Sequence, residues 1–484
     1  MEHSSEKQEP GKTIKIIPKP VSIKYNEGIF KSAELPSVEK REVNFEGQLK
    51  NNDETYRLII EKNKITVEAQ APAGMHNGLE TFRQLTLSEY KNGLLVLPCA
   101  EITDYPRFSW RGFMLDCSRY FYSVPFIKNL IDVLSLHHIN RFHWHLTDDQ
   151  GWRFPVAEYP LLTEIGSLRK NSRIRWLTPL CGFYSEDEIR EVVDYSLQRN
   201  IEVIPEVDLP GHASAILASY PALGCTGGPY QVEERWGIFE DVLCAGNDDI
   251  FNLFEKVFDT IAKLFPSRWV HIGGDEVLSK RWETCPKCNR RLNELGLSKP
   301  AELQSWITYK LAEMLSKRGK TVIGWDEILD DSDKFKLSKD AVVMSWRGDA
   351  GGIKASALGH NVIMTPNTKG CYLDYKHINT PEEPGQLFEG SASVYKSYSM
   401  DPVPPGMNED DASRILGGQG NLWSELIYAG KIAEYMIFPR LCAIAEAVWT
   451  PKNEKNFDDF TQRLKVHRKR LDKLGIQQYR GQLQ

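Results

Sequence analysis

Apolar and polar residues follow two rhythms along this chain, and the rhythm changes near residue 105. Upstream, residues 14–21 and 56–68 interleave β-branched and apolar side chains with polar ones. That period of two predicts strands. Residues 74–87 carry a helical period instead. The pattern predicts a small α+β accessory domain over residues 1–105, ended by the turn-forming Asp104-Tyr105-Pro106-Arg107. Downstream, short apolar runs recur near 110–116, 139–147, 201–207, 268–274, 321–325, 341–346, 361–365 and 415–422. Most are followed by a helical stretch. Ser123-Val124-Pro125 offers an N-cap and an early proline, and Ser185 with Glu188 forms a capping box. Ile250, Phe254, Val257, Phe258, Ile261 and Leu264 keep the spacing of a helix face packed on a sheet. Eight strand positions, mostly separated by helices, predict an α/β fold, a (β/α)8 TIM barrel over residues 106–484. A doubly wound sheet is the alternative. No Gly-x-Gly-x-x-Gly stands where a dinucleotide-binding version would need it.

Barrels of this kind place their chemistry at the C-terminal strand ends. The predicted strands end, in order, at Asp116-Cys117-Ser118-Arg119, at His143-Trp144-His145-Leu146-Thr147-Asp148-Asp149 and at Glu206-Val207-Asp208 with Pro210-Gly211-His212 following. Next come His271-Ile272-Gly273-Gly274-Asp275-Glu276, Gly324-Trp325-Asp326-Glu327 and Ser345-Trp346-Arg347. The last two positions are followed by Tyr372-Leu373-Asp374-Tyr375 and Asn421-Leu422-Trp423-Ser424-Glu425. Each end offers a carboxylate, a histidine, an arginine or an aromatic ring. Trp325, Trp346 and Trp423 are placed to wall a pocket, with Arg119, Asp148 and Glu425 as charged hydrogen-bonding groups. Such an inventory suits a neutral, hydroxyl-rich ring. A phosphate site would call for more cations and backbone amides.

Composition narrows the partners. Lys and Arg total 60 against 66 Asp and Glu, a net charge of -6, so no nucleic-acid partner is expected. No apolar run has the length of a membrane helix, and the polar stretch 1–20 holds no signal-peptide core. Nine scattered cysteines favour reduced thiols over a disulfide framework, which leads to an expectation of a cytoplasmic protein. A secreted mature form would look the same. Cys285-Pro286-Lys287-Cys288 is the one paired-cysteine motif. A zinc site would need two more ligands, for which Cys225 and Cys244 are available, but no second pair stands nearby. The expectation is therefore no metal and no cofactor.

The adjacent acids Asp275 and Glu276 pose a geometric difficulty. An ordinary glycosidase brackets the scissile bond with two carboxyls roughly 5–10 Å apart. Neighbouring residues do not bracket a sugar easily. Either the partner acid lies elsewhere, or the substrate supplies the nucleophile, for which a 2-acetamido oxygen would serve. One acid would then protonate the leaving oxygen while its neighbour holds the acetamide N–H; if Glu276 is that acid, burial beside Asp275 is expected to keep its proton near neutral pH.

At this point the motifs resemble those of family 20 glycoside hydrolases, the β-N-acetylhexosaminidases, over nearly the whole chain. They are Asp116-x-Ser118-Arg119, His143-Trp144-His145-Leu146-x-Asp148-Asp149, Asp208-x-Pro210-Gly211-His212 and His271-Ile272-Gly273-Gly274-Asp275-Glu276. The resemblance implies an exo-acting, retaining enzyme that removes terminal β-linked GlcNAc or GalNAc through an oxazolinium intermediate. It implies Glu276 as general acid/base, Asp275 as the residue that orients the acetamide, and Tyr372 as the donor to the acetamide oxygen. Trp325, Trp346 and Trp423 would box the acetamide and the sugar face. Arg119 and Glu425 would hold the 3- and 4-hydroxyls, Asp374 the far side of the ring, and Asp148, Asp208 and His212 would support them. The implied partner is a glycan or glycoconjugate with a non-reducing terminal amino sugar. Rival readings are a lacto-N-biosidase that releases a disaccharide, a non-catalytic carbohydrate-binding barrel, and a metal-assisted hydrolase using His143, His145 and His212. The stretches 225–244 and 376–413 carry no clear pattern, and the second is expected to shape the pocket mouth.

Overall fold

The computed structural model of this chain describes residues 13–47, 49, 52–169, 181–387 and 392–484. Most of the polar N-terminal stretch, residues 1–12, and part of the 376–413 stretch, residues 388–391, lie outside the described residues.

The first unit is a six-stranded sheet. Its strands are β1 (Ser22–Ser32), β2 (Val38–Glu42), β3 (Tyr56–Ile60), β4 (Ile65–Ala69), β5 (Tyr90–Lys91) and β6 (Leu94–Asp104). They run in the order β1-β6-β3-β4-β2, with β5 on β6. Alternation in β3 and β4 buries Tyr56, Leu58, Ile60, Ile65, Val67 and Ala69, and helix Pro72–Glu89 covers that face with Phe82 and Leu85. Residues 14–21 are not a strand, contrary to their alternation. Ile14, Ile16 and Ile17 are buried, but Pro18 and Pro20 have no N–H for a ladder. Side chains satisfy the carbonyls instead: Arg470 bonds that of Lys15, Arg463 that of Ile16 and Gln84 that of Ile17. Both arginines lie on the C-terminal helix Phe457–Lys473, so this segment ties the first unit to the second.

The second unit is a closed parallel barrel. Its eight staves are β7 (Trp110–Asp116), β8 (Arg141–His145), β11 (Glu202–Glu206), β12 (Trp269–His271), β13 (Thr321–Trp325), β14 (Val342–Ser345), β15 (Asn361–Met364) and β16 (Ile415–Leu422). A small hairpin of β9 (Thr147–Asp148) and β10 (Gly151–Trp152) follows β8. All eight staves fall at the predicted positions, and closure removes the doubly wound alternative. Helix Glu186–Leu197 opens with the predicted Ser185–Glu188 capping box. Ser123 occupies the cap position of Val124–Leu136, but its side chain makes no capping bond. Helix Asp249–Leu264 buries the predicted apolar face against the barrel. Among the described residues, no helix is long and apolar enough to cross a membrane.

One feature of the barrel interior bears on the site. Glu206 is fully buried among three histidines: His145 Nδ1 hydrogen-bonds it at 2.5 Å, while His143 Nε2 and His271 Nδ1 lie 2.9 Å and 2.8 Å away. Trp325 Nε1 donates to the same carboxylate at 3.1 Å. Burial alone would keep Glu206 neutral, but the histidines prevail and hold its acidity well below the usual carboxylate range. The floor of the barrel mouth is thus a buried carboxylate ringed by three histidines and a tryptophan.

Candidate active site

The site forms where β12 ends. Gly273 and Gly274 adopt φ values of 65° and 92°, open to glycine and strained for other residues. Their lack of side chains lets Asp208 fold over them. A Cβ on Gly273 would stand 1.7 Å from Asp208 Oδ1, and the same oxygen accepts the Gly274 N–H at 3.2 Å. Glu276 and His212 are held at φ 53° and 46°, left-handed positions costly for side-chain-bearing residues. The turn thereby presents the two acids in different environments. The Asp275 side chain is 11% exposed, while the Glu276 side chain is 32% exposed. The burial expected for Glu276 is found at Asp275, because Glu276 projects toward the pocket mouth.

His212 reaches both acids. Its Nε2 lies 3.8 Å from Asp275 Oδ2 and 3.6 Å from Glu276 Oε2. Its Nδ1 lies 3.1 Å from Asp148 Oδ1 and 3.2 Å from Asp149 Oδ2. Burial disfavours the imidazolium, but Asp148 and Asp208 outweigh it and raise its pKa well above the ordinary value. Asp148 in turn pairs with Arg119 Nη2 at 2.9 Å and with His145 Nε2 at 2.9 Å. Burial works against its charge, yet Arg119 and His212 hold it well below the usual range. Asp275 is raised to about 6, first by burial and then by the charges of Glu276 and Glu206. Asp208, buried next to Asp275, is raised well above its ordinary value, by burial and then by Asp275.

Around these acids lies a cavity of about 160 Å³ lined by Arg119, His212, Asp275, Glu276, Trp346, Tyr372, Asp374, Trp423 and Glu425, with Tyr375 and Gln386 besides. The first nine are predicted site residues. The other three stand one layer back. Asp148 braces Arg119 and His212, Asp208 braces the Gly273-Gly274 turn, and Trp325 is 1% exposed and packs 5.8 Å from the Trp423 ring. Arg119 is set by Asp116 Oδ2 at 3.2 Å and Gln150 Oε1 at 2.9 Å, and its guanidinium lies 5.1 Å from the Trp423 ring. Tyr372 lies nearly parallel to Trp346, with centroids 6.2 Å apart, and burial keeps its hydroxyl protonated.

The acceptors facing this cavity are unsatisfied. Asp275 Oδ1, both carboxylate oxygens of Asp374 and Glu425 Oε2 are buried without a hydrogen-bond partner among the described residues. Buried polar atoms are nearly always partnered, so this concentration in one cavity marks places a ligand fills. Burial raises Asp374 well above the ordinary range and also raises Glu425. Two larger clefts, of about 530 Å³ at residues 229–241 and about 710 Å³ beside Arg107 and Leu416, include none of the predicted site residues.

Some residues escaped the sequence. Gln386 comes from the patternless 376–413 stretch and reaches the cavity because its N–H bonds the Asp374 carbonyl at 2.8 Å. Glu327 sits in a quoted strand-end motif without an assigned role. It accepts from Trp346 Nε1 at 2.9 Å, and burial together with Asp275 and Asp326 pushes it up to about 9. The histidines of the metal-hydrolase reading do not converge. His143 and His145 turn inward to Glu206, and His212 faces the acids. Cys225 and Cys244, too far along the chain for a paired motif, come together with Cys285 and Cys288.

A closed parallel barrel whose strand ends wall an aromatic pocket and point unpartnered carboxylates into it is a scaffold of the glycoside-hydrolase class. The chain belongs to glycosyl hydrolase family 20: residues 108–452 match its catalytic domain and residues 30–105 its domain 2. It is 42% identical to a β-hexosaminidase of Porphyromonas gingivalis over 88% of this chain, and spans 54% of that relative's length. Its fold superposes on a crystallographic β-N-acetylhexosaminidase with TM-score 0.88 at 30% identity, covering 97% of this chain and 98% of the other. An exo β-N-acetylglucosaminidase of Vibrio harveyi, solved with N-acetylglucosamine, gives TM-score 0.85 at 31% identity, covering 96% of this chain and 78% of the other.

Proposed function

We propose that this chain is an exo-acting, retaining β-N-acetylhexosaminidase whose substrate supplies its own nucleophile. The observation that carries the proposal is the buried, partnerless Asp275 Oδ1 beside the more exposed Glu276. One acid is an acceptor waiting for an N–H, and the other stands at the mouth where a leaving group exits. The acetamide oxygen attacks C1 and the C1–O glycosidic bond breaks. The Glu276 proton passes to the departing oxygen. Asp275 accepts the acetamide N–H and offsets the positive charge of the oxazolinium ring, while the Tyr372 hydroxyl donates to the acetamide oxygen. Water then attacks C1, gives its proton to Glu276, and the acetamide re-forms. Two displacements at C1 return the β configuration.

Arg119, Asp374 and Glu425 close the far end and suit ring hydroxyls, and the small cavity favours one terminal sugar over a disaccharide. Glycans or glycoconjugates ending in β-linked GlcNAc or GalNAc are the proposed substrates. The test compares p-nitrophenyl β-glycosides of GlcNAc, GalNAc, glucose and lacto-N-biose. The two N-acetyl sugars are expected to be cleaved and the glucoside left intact. Cleavage of the glucoside as fast as the GlcNAc compound would overturn substrate assistance.

A further inference from the structure

Four of the nine cysteines converge outside the pocket. The Sγ atoms of Cys225, Cys244, Cys285 and Cys288 all lie within 4.8 Å of one another. The Cys244–Cys288 separation is 3.6 Å, and those of Cys225–Cys288 and Cys244–Cys285 are 3.7 Å. All four are free thiols, and all but Cys225 are buried. A tetrahedral zinc with Zn–S bonds of about 2.3 Å spaces its sulfurs about 3.8 Å apart. The observed separations lie close to that edge length before any metal is added.

The surroundings fit the same purpose. Cys285 precedes and Cys288 lies within helix Pro286–Glu294, so the Cys-x-x-Cys knuckle aims both sulfurs one way. Gly246 lets the knuckle close on Cys244. A Cβ at Gly246 would stand 2.1 Å from the Lys287 carbonyl carbon. The Gly246 N–H is directed at the sulfurs of Cys244 and Cys288, as suits thiolate acceptors.

We propose that these four cysteines are a structural zinc site. Binding exchanges four thiol protons, released to solvent, for one Zn2+ held by four thiolates. Four protein ligands leave no open position for substrate or water, so the metal's part is to clamp. It joins the segment after β11 to the segment after β12, and both carry the site. The Leu243 N–H bonds the Pro210 carbonyl two residues before His212, and the knuckle begins nine residues after Glu276. The enclosed loop also offers the Arg235 carbonyl to Gln150, the residue that sets Arg119. This inference stands apart from the proposed sugar chemistry.

The test is metal analysis of the full chain purified under reductant without chelator. One zinc per chain is expected, and less than a tenth of that in the Cys244→Ser/Cys288→Ser double variant. Cobalt loaded in place of zinc is expected to show the intense absorption of tetrahedral thiolate coordination. Iron in place of zinc, two disulfides by mass spectrometry, or thiols that take up neither zinc nor cobalt would each overturn the proposal. Full zinc in the double variant would do the same. If that variant fails to fold, cobalt binding by the unaltered chain decides alone.

Discussion

His212 Nε2 stands 3.6 Å from Glu276 Oε2, although the two residues come from different barrel loops. The same nitrogen reaches Asp275, while the other side of the ring is anchored on Asp148 and Asp149. One imidazole therefore joins the Arg119–Asp148 pair to both acids, and the sugar-binding end of the pocket is mechanically connected to its reactive end. Four predictions follow from this arrangement and its surroundings.

Asp275→Asn separates activity from stability. Removing a preorganised charge at a reacting centre costs about 10²–10³ in kcat. The pKa of Asp275 is raised from 3.8 to about 6 in the fold. Its contribution to stability is then present below pH 4 and lost as pH rises through 6, where ionised Asp275 costs roughly 3 kcal/mol. Calorimetry should find the variant melting above the parent protein at pH 8 and level with it at pH 4. A shift of equal size at both pH values would contradict the assignment.

Glu276→Gln should discriminate by leaving group. Aryl β-GlcNAc compounds with acidic phenols leave without help, so their turnover falls little. Those with poor leaving groups fall by about 10²–10⁴, the usual worth of general acid catalysis. A loss of the same size across the series would remove Glu276 from the proton-transfer role.

Glu327 is protonated at pH 7, because burial and the neighbouring Asp275 and Asp326 raise it to about 9. Glu327→Gln copies that form and keeps an acceptor for Trp346, so activity at pH 7 stays within about threefold of the parent. Glu327→Ala leaves the Trp346 N–H unpaired, and KM rises by about tenfold, equivalent to ~1.4 kcal/mol. Above pH 9 the ionised Glu327 adds charge beside Asp275, and the pH–rate profile of the parent falls. That alkaline limb should be missing in Glu327→Gln.

Gly273→Ala tests the turn itself. The new methyl meets Asp208 at once, and the φ of 65° costs a further ~1–3 kcal/mol. Either the turn shifts or the protein melts earlier. In the first case kcat falls with fluorescence and circular dichroism spectra intact, and in the second Tm drops by several degrees. Unchanged kcat and Tm would show that the Asp208–Gly273 approach is dispensable.

Much of this site was legible because a closed barrel obeys a local rule. Each stave is a short apolar run, and whatever follows it arrives at the same rim. Residues such as Asp275, Trp423 and Glu425 could be assigned to the pocket from position alone, with no knowledge of distance. The rule also misled where local pattern and tertiary partner diverge. Residues 14–21 alternate like a strand, yet distant arginine and glutamine side chains take the place of a ladder. Trp325 has the position of a wall but turns its N–H into the barrel toward Glu206.

Order along the chain determined the barrel, the rim and the pairing of Asp275 with Glu276, since periodicity and strand-end chemistry are encoded within a few residues. Only the tertiary structure decided which of the two acids is buried. That depends on how the Gly273-Gly274 turn packs under Asp208, a residue 65 positions upstream. It likewise decided that Cys225 and Cys244 meet Cys285 and Cys288. Loops from two neighbouring staves close over one another there, and sequence spacing carries no record of a contact made across the rim.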